Sequence, residues 1–295
     1  MSTAFFILLL ASAASGQIVG GVYAVPGEYP YVVQVGHVPV YEGEVVCGGT
    51  IIEMQWVLTA AHCVRHEGRD REFVHIVAGD NKRVASSDCD RHELPPTKII
   101  PHPNYDCDYA ETKEVDEELD IALLYFRRPI PNRPHIGKFP VPIQPHNCDF
   151  LDPGSQDEQC KFLGWGNTYF DEEAGESSRP SLVLKHTRVK SVDVSMERQI
   201  VVGDAGQNGA GNRIMEGDSG GPMVCKDPRD KKKKLCGIVT SGCKREWAIF
   251  ARVSAFHSWI VDEMEEAREE ENLRRNDASF AALLGGALLV AWNFL

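Results

Sequence analysis

A serine crowded by three glycines is the feature that most constrains how this 295-residue chain can fold. Residues 216–222 read Glu-Gly-Asp-Ser-Gly-Gly-Pro. Glycines let a backbone turn tightly and approach other backbone closely. In such a turn, the amides of Gly217 and Ser219 can face a developing negative charge. The run therefore indicates a serine displayed for nucleophilic attack, with a chemically inert glycine-rich loop as the alternative.

Two further motifs offer this serine its partners. His62 ends an apolar run, Leu-Thr-Ala-Ala-His-Cys, and Asp120 opens another, Asp-Ile-Ala-Leu-Leu. A serine hydroxyl is a weak nucleophile at neutral pH and needs a base, and histidine titrates nearest that pH. Asp120 would orient His62 and stabilise its imidazolium. Taken singly, His62 could be a packed side chain and Asp120 a strand-start cap, but such readings are rare for the whole set.

The chain order His62, Asp120, Ser219 is the chymotrypsin order and differs from those of subtilisin and the α/β-hydrolases. Together with Ile-Val-Gly-Gly at residues 18–21, these motifs resemble the trypsin/chymotrypsin family of secreted serine endopeptidases, from Ile18 to about Trp259. The resemblance implies two six-stranded antiparallel Greek-key barrels, roughly 18–140 and 141–253, followed by a C-terminal helix. Several β-branched or apolar runs divided by turns independently indicate an all-β fold; they are residues 31–35, 73–77, 182–184 and 237–239.

The resemblance also implies roles for the site residues. His62 takes the proton from Ser219, which attacks a peptide carbonyl to give an acyl-enzyme, while the Gly217 and Ser219 amides hold the oxyanion. After activation, the new ammonium group of Ile18 lies beside Asp218. Protein or peptide substrates and protein protease inhibitors are the implied partners. No metal-ligand spacing is evident, so no cofactor is expected, and the net charge of −12 argues against nucleic acid as a partner.

Arg213 carries the prediction about specificity. It lies six residues before Ser219, where trypsin-like enzymes place an aspartate at the floor of the specificity pocket. A guanidinium there would pair with a carboxylate, which favours Asp or Glu before the scissile bond. The alternatives are an internal pair with Glu216 or Glu246, leaving a blocked or shallow pocket, and, less favoured, a trypsin-like preference. The other expected pocket positions are Thr240, Ser241, Gly242 and Ala248.

Nine cysteines in a secreted chain raise the question of disulfides. The resemblance implies the pairs Cys47–Cys63 and Cys160–Cys225. Two cysteines without a family counterpart are a candidate bridge beside the cleft, namely Cys89 and Cys107. The pairing of Cys148, Cys236 and Cys243 stays open, and the odd total leaves at least one thiol free or paired between chains. Met215 stands where the family has a cysteine that pairs with the position of Cys243.

The two ends of the chain carry segments outside the expected protease domain, which spans residues 18–261. Residues 1–16 are predicted to be a secretory signal peptide, with a membrane anchor as the alternative, and residue 17 alone would be the propeptide. Because Gln17 is neither Lys nor Arg, the expected step is a different activator, an aminodipeptidase-like trimming or direct release by signal peptidase. Residues 262–279 are predicted to form a charged helical extension or stalk. The apolar tail 280–295 is a candidate GPI signal, with a short transmembrane tail or a docking segment as alternatives. The expected location is extracellular, either free or held at the outer cell surface.

Two charged segments and a second function class complete the predictions. An acidic loop over residues 105–120 either favours basic residues in the substrate or is merely solvated. Lys231 to Lys234 form a basic patch, which is either an exposed hairpin tip or a site for glycosaminoglycans or other anionic surfaces. The departures at Arg213, Met215 and Ser241 motivate an alternative function. In that alternative, the chain is a chymotrypsin-fold binding protein with little or no proteolytic turnover.

Overall fold

Two antiparallel sheets, which account for most of the regular structure, arise from the β-branched and apolar runs of the sequence. The computed structural model describes residues 21–37, 46–66, 69–83, 91–105, 117–146, 148–151, 160–167, 170–171, 176–177, 180–189, 191–194, 196–203, 214, 217–241 and 247–292. The all-β prediction with a C-terminal helix is confirmed.

The strands of these ranges are β1 (Val22–Tyr23), β2 (Val32–His37), β3 (Cys47–Glu53), β4 (Trp56–Thr59), β5 (Arg65–His66), β6 (Arg69–Asp70), β7 (Val74–Ala78), β8 (His92–Leu94), β9 (Lys98–Pro101), β10 (Ala122–Tyr125), β11 (Cys160–Gly164), β12 (Phe170–Asp171), β13 (Glu176–Ser177), β14 (Lys185–Val189), β15 (Ser191–Asp193), β16 (Gln199–Gly203), β17 (Pro222–Lys226), β18 (Lys233–Ser241) and β19 (Trp247–Arg252). Short 3-10 helices are η1 (Ala61–Cys63), η2 (Glu117–Leu119) and η3 (Val253–Phe256), and the long helix is α1 (His257–Trp292).

The strand numbers of the two sheets depart from the predicted six each. The first sheet has seven strands in the order β8-β7-β2-β3-β4-β10-β9, and the second has eight in the order β1-β14-β11-β17-β18-β19-β16-β15. One extra strand of the second sheet is β1, which comes from the N-terminal part of the chain. It crosses over to pair with β14, with Val22 opposite His186 and Tyr23 opposite Lys185.

The core of the first sheet continues into the second. Buried side chains of β2, β3, β4 and β10 form one apolar cluster with residues of the second sheet, among them Leu163 and Trp165. Trp165 is almost fully buried, and its indole Nε1 donates to the Asn81 carbonyl at 3.0 Å. This contact joins the end of β11 to the segment after β7. The two sheets are therefore packed on each other where their functional residues meet.

Helix α1 lies against the edge of the first sheet. Ile260 and Ala267 are buried, while the rings of Phe256 and Trp259 stand edge-on to the His102 ring at 5.5 and 5.1 Å. Further along the helix, Glu270 accepts from Lys98 at 2.7 Å. The side chains of residues 278–292 and all of residues 293–295 lie outside the description. Within the part of the chain that the structure describes, no helix is both long enough and apolar enough to cross a membrane.

The basic patch lies at the tip of the hairpin that joins β17 to β18. Lys231 adopts a left-handed backbone with φ of 60°, and the turn is closed by Asp227, whose carbonyl accepts from the Lys231 amide at 2.9 Å. The buried carboxylate of Asp227 also accepts from Arg229 Nε at 3.0 Å and Nη2 at 2.9 Å. These Arg229 bonds hold the pKa of Asp227 at about 2, below its ordinary value of 3.8.

This pKa gives a prediction for the stability of the hairpin. A carboxylate whose folded-state pKa is lowered stabilises the fold above its unfolded pKa, and that contribution is lost as the pH falls through the folded value. Asp227→Asn should therefore lower the melting temperature at pH 7, and the difference from wild type should shrink between about pH 4 and pH 2. Asp70→Asn, at an exposed position, is the control. A deficit that stays constant down to pH 2 would contradict the assignment.

Candidate active site

Antiparallel pairing of two strands brings His62 and Asp120 together. His62 lies in η1, which begins one residue beyond β4, and Asp120 lies between η2 and β10. Because β4 and β10 pair with Thr59 opposite Ala122, the residues that follow one strand and precede the other are neighbours. The sequence places no charge within either strand, and both are buried. The pairing of these two apolar strands thus places the side chains of His62 and Asp120 at the same end of the strand pair.

Two hydrogen bonds fix the histidine on the carboxylate. Asp120 Oδ2 lies 2.6 Å from His62 Nδ1, and Oδ1 accepts from the His62 backbone amide at 2.9 Å. An ionised carboxylate can only accept, so Nδ1 carries the proton and Nε2 is the acceptor nitrogen of the neutral ring. Asp120 is only 4% exposed, whereas the His62 side chain is 36% exposed. The geometry therefore presents a basic nitrogen at the surface with its charge partner buried behind it.

The Ser219 turn is hydrogen-bonded to the strand pair that leads to His62. The Ser219 carbonyl accepts from the Gly48 amide at 2.7 Å, and the Gly48 carbonyl accepts from Thr59 Oγ1 at 2.8 Å. Thr59 lies three residues before His62 in the chain. Ser219 itself is half-buried. The serine and the histidine are consequently positioned by the same two strands, β3 and β4.

Gly220 is the residue of the serine turn that packs against Gly48, Thr59 and Ala60. Its φ is +75°, and an added Cβ would overlap the Gly48 carbonyl oxygen, the Thr59 hydroxyl and, at 3.2 Å, the Ala60 amide. On the other side, the Gly220 amide donates to Val239 of β18 at 2.8 Å. A side chain at Gly220 would therefore push the turn away from the strand that leads to the histidine.

The carboxylate of Asp218 lies beneath the turn, in space that two glycines leave open. Asp218 is fully buried, and its Oδ1 accepts from the Gly166 amide at 2.8 Å. The carboxylate oxygens occupy the positions where side chains of Gly164 and Gly166 would stand. The aspartate thus anchors the turn to the end of β11.

The amides expected to face an oxyanion belong to Gly217 and Ser219. Gly217 has a φ of +96° and packs on Gly166, where an added Cβ would lie 3.1 Å from the Gly166 Cα. Among the described residues, neither of these two amides donates to a backbone carbonyl. The turn can therefore offer them to a carbonyl oxygen whose charge grows during attack.

The pocket positions lie partly beside this turn and partly outside the described ranges. Thr240 and Ser241 end β18, and Thr240 Oγ1 donates to the Ile249 carbonyl at 3.1 Å. Ala248 is buried on the neighbouring β19. Since β18 also bonds to Gly220 and Gly221 through Val239, Thr240 is the next residue along the strand after this contact with the serine turn. The other predicted positions, which are Ile18, Arg213, Met215 and Gly242, lie outside the described residues.

Three disulfides brace the part of the fold that the structure describes. Cys47 pairs with Cys63 and Cys160 with Cys225, the two pairs that the resemblance implied, and Cys148 pairs with Cys236. The last pair was left open by the sequence because no motif linked the two cysteines. Cys89, Cys107 and Cys243 lie outside the described ranges. Cys47, His62 and Cys63 cluster as metal ligands do, but the disulfide leaves the two sulfurs without a thiolate to offer.

One residue near the site was missed by sequence reasoning. Lys185 is fully buried on β14, although lysine is seldom found inside a protein. Burial lowers the pKa of Lys185, and the charge of Asp218 opposes that lowering. The signal was strand alternation, because Lys185 shares a face with Thr187 and Val189, both of which are also buried. The alternation was visible in the sequence, but the sequence did not show that this face of the strand would be buried.

Comparison with known proteins agrees with this geometry. The sequence model of the trypsin family matches residues 18–260. Serine protease 56 of Homo sapiens is 28% identical over 269 residues, covering 88% of this chain and 40% of that protein. Serine protease 56 of Mus musculus is 27% identical over 265 residues, covering 85% of this chain and 39% of that protein. The chain thus spans about two fifths of the length of these curated relatives.

The close approach at Gly220 predicts a sharp sensitivity to substitution. Gly220→Ala should lower the free energy of unfolding by at least about 2 kcal/mol, because it combines a left-handed backbone with overlap onto β3 and β4. The matched control is Gly137→Ala, whose Cβ would meet only Pro30 at 3.8 Å and which should change stability by less than about 0.5 kcal/mol. Urea denaturation measures both variants, and equal shifts would contradict the described packing.

Proposed function

The chain belongs to the trypsin family of serine proteases, and from this premise we propose that it is an extracellular endopeptidase that cleaves peptide bonds through an acyl-enzyme. The observation that carries the proposal is the His62–Asp120 pair at 2.6 Å beside β4, because Thr59 of β4 bonds to Gly48, whose amide in turn donates to the Ser219 carbonyl. The proposed base, its orienting carboxylate and the serine turn are thus linked through hydrogen bonds to neighbouring strands of the first sheet. The printed name of the curated relatives, serine protease, supports the same reaction class.

The proposed reaction follows from the protonation state of the histidine. Nε2 of His62 accepts the hydroxyl proton as Ser219 Oγ attacks the substrate carbonyl, and the buried Asp120 stabilises the imidazolium that forms. The Gly217 and Ser219 amides stabilise the oxyanion of the tetrahedral intermediate. His62 then returns the proton to the leaving amine. Water, activated in the same way by His62, hydrolyses the acyl-enzyme and restores Ser219.

Specificity is proposed to rest on Arg213. Its guanidinium would bind a carboxylate side chain before the scissile bond, with Thr240, Ser241, Gly242 and Ala248 shaping the surrounding pocket. The position of Thr240 directly after Val239, which bonds to Gly220 and Gly221 of the serine turn, supports its part in this pocket.

Activation and location are part of the proposal. Removal of residues 1–17 would free the Ile18 ammonium to lie beside Asp218, and because Gln17 precedes it, the activating step differs from cleavage after Lys or Arg. Three disulfides fit an oxidising, extracellular compartment. We also propose attachment to the outer surface through the C-terminal tail, protein or peptide substrates, and regulation by protein protease inhibitors.

The triad is tested by an active-site-directed fluorophosphonate on protein processed to begin at Ile18. Wild type should be labelled at Ser219, Ser219→Ala should not react, and Asp120→Asn should lower kcat for a peptide substrate by about 10⁴-fold. Asp70→Asn is the matched control, since it removes an exposed carboxylate. A correctly folded and processed wild type that neither labels nor cleaves would favour the alternative of a chymotrypsin-fold binding protein without turnover.

The pocket is tested by profiling a diverse peptide library with the same processed protein. Cleavage after Asp or Glu is expected, and Arg213→Ala should reduce kcat/KM for such substrates by about 10- to 100-fold, as for the loss of a charge-assisted hydrogen bond. Arg188→Ala, at an exposed position on β14, should leave the profile unchanged. Cleavage after Lys or Arg by the wild type would overturn the pocket assignment.

A further inference from the structure

Basic side chains from three strands meet around Tyr29 and have no part in the mechanism above. Lys161 Nζ of β11 donates to the Tyr29 hydroxyl at 3.4 Å, and Lys233 Nζ of β18 lies 5.5 Å from the centre of the Tyr29 ring. The His186 ring of β14 stands edge-on to the same ring at 5.4 Å. Tyr29 is itself buried. Its ring therefore brings three basic groups, which are distant in the sequence, into one place.

Strand register places the basic residues on one face of the second sheet. Lys161 lies opposite Arg188 on one side and Val224 on the other, and opposed residues of an antiparallel pair project from the same face. Lys226, two residues beyond Val224, shares this face and lies opposite Lys233. Lys161 is half-buried, whereas the other three basic residues are exposed. Basic groups thus follow one another across β14, β11, β17 and β18, which are neighbours in the sheet.

The charges of this face act on His186. Burial lowers the pKa of His186, and the charge of Lys161 lowers it further. Arg188 and Lys233 act in the same direction, whereas the charge of Glu28 opposes them. Like charges that are held this close repel one another, and a bound anion would relieve that repulsion.

Two of these cations are available to an anion from outside the chain. Neither Lys161 nor Lys233 forms an ion pair with a carboxylate of the described chain. The carboxylate at the edge of the cluster is that of Glu28, which accepts from the Val25 amide at 3.1 Å and lies 3.9 Å from His186 Nε2. Glu28 would therefore weaken the binding of an anion beside it without occupying either lysine.

The basic face continues into the tip of the hairpin between β17 and β18. Residues 226–234 contain six basic and two acidic side chains. Both acidic side chains are engaged within the hairpin, Asp227 by Arg229 at 2.9 Å and Asp230 by Lys234 at 3.1 Å. The basic groups therefore extend over a surface that is larger than a single small anion can cover.

We propose that this surface, which consists of Lys161, His186, Arg188, Lys226 and Lys233, binds a sulfated polysaccharide. The ammonium and guanidinium groups would pair with sulfate groups, and a polymer with repeated sulfates can contact cations on several neighbouring strands at once. The net charge of −12 on the whole chain would orient such a polymer toward the basic face.

The choice of a polysaccharide rests on the extracellular location proposed above. Anionic lipids are concentrated in the cytoplasmic leaflet of a membrane, so an extracellular protein meets few of them. The binding itself does not depend on peptidase activity, and the residues of the surface are separate from His62, Asp120 and Ser219.

The surface is tested by calorimetric titration of the chain carrying Ser219→Ala with a fully sulfated heparin oligosaccharide of defined length, at low salt. Lys161→Gln combined with Lys233→Gln should weaken binding by about tenfold, because two cations that contact sulfate are lost. Lys233→Gln alone, at an exposed position where folding is not at risk, should weaken it by about threefold. The matched control is Lys138→Gln, an exposed lysine that bonds to Glu53, and it should change the affinity by less than about twofold.

A variant of opposite sign makes the test independent of stability. Glu28→Gln should strengthen binding of the same oligosaccharide by about two- to fivefold, because it removes the carboxylate beside the cluster. Loss of folding cannot produce such a gain. Asp70→Asn, which removes an exposed carboxylate of the first half of the chain, should leave the affinity unchanged.

The alternatives give different outcomes. Uncharged dextran of similar length should not bind. Absence of heparin binding, or equal weakening by Lys233→Gln and Lys138→Gln, would overturn the site. Phosphatidylserine vesicles or polyglutamate that bind as tightly as the heparin oligosaccharide would overturn the choice of a polysaccharide. Because every titration uses Ser219→Ala protein, a wild type without peptidase activity would refute the proposed function and leave this test unaffected.

Discussion

The buried carboxylate of Asp218 is the constraint around which the site is built. It takes the space of two absent side chains, at Gly164 and Gly166, and bonds to the backbone of the second. A buried carboxylate in that position requires polar partners, and it excludes any larger residue at either glycine. The two glycines at the end of β11 and the shape of the Ser219 turn therefore depend on each other through the packing of Asp218.

The histidine depends on a different kind of constraint. Asp120 contacts both the backbone and the ring of His62, so the position of the residue and the tilt of its ring are set together. The strand pair β4 and β10 carries no catalytic side chain of its own, yet its register places the two groups. The register of two apolar strands therefore determines where His62 and Asp120 lie, because both residues stand just beyond the strand ends.

Sequence reasoning reached those parts of the molecule that local patterns encode. The motifs around His62, Asp120 and Ser219 identified the residues that the structure brings to one region, and β-branched runs predicted the sheets. Long-range pairing was harder, because nothing local indicates that Val22 and Tyr23 cross to β14, or that Cys148 pairs with Cys236. Lys185 was overlooked for the same reason, since its local sequence does not show that its face of β14 is covered by distant parts of the chain.

The Cys47–Cys63 bridge has a consequence for redox chemistry. Cys47 precedes Gly48, the donor to the Ser219 carbonyl, and Cys63 follows His62, so one covalent bond ties the support of the nucleophile to the loop of the base. It closes a loop of 16 residues, for which the loss of chain entropy is about 3 kcal/mol. Thiol reductants would release that loop while leaving every residue of the triad chemically intact. The relative position of Ser219 and His62 is thus coupled to the redox state of one disulfide, which a reducing environment would break.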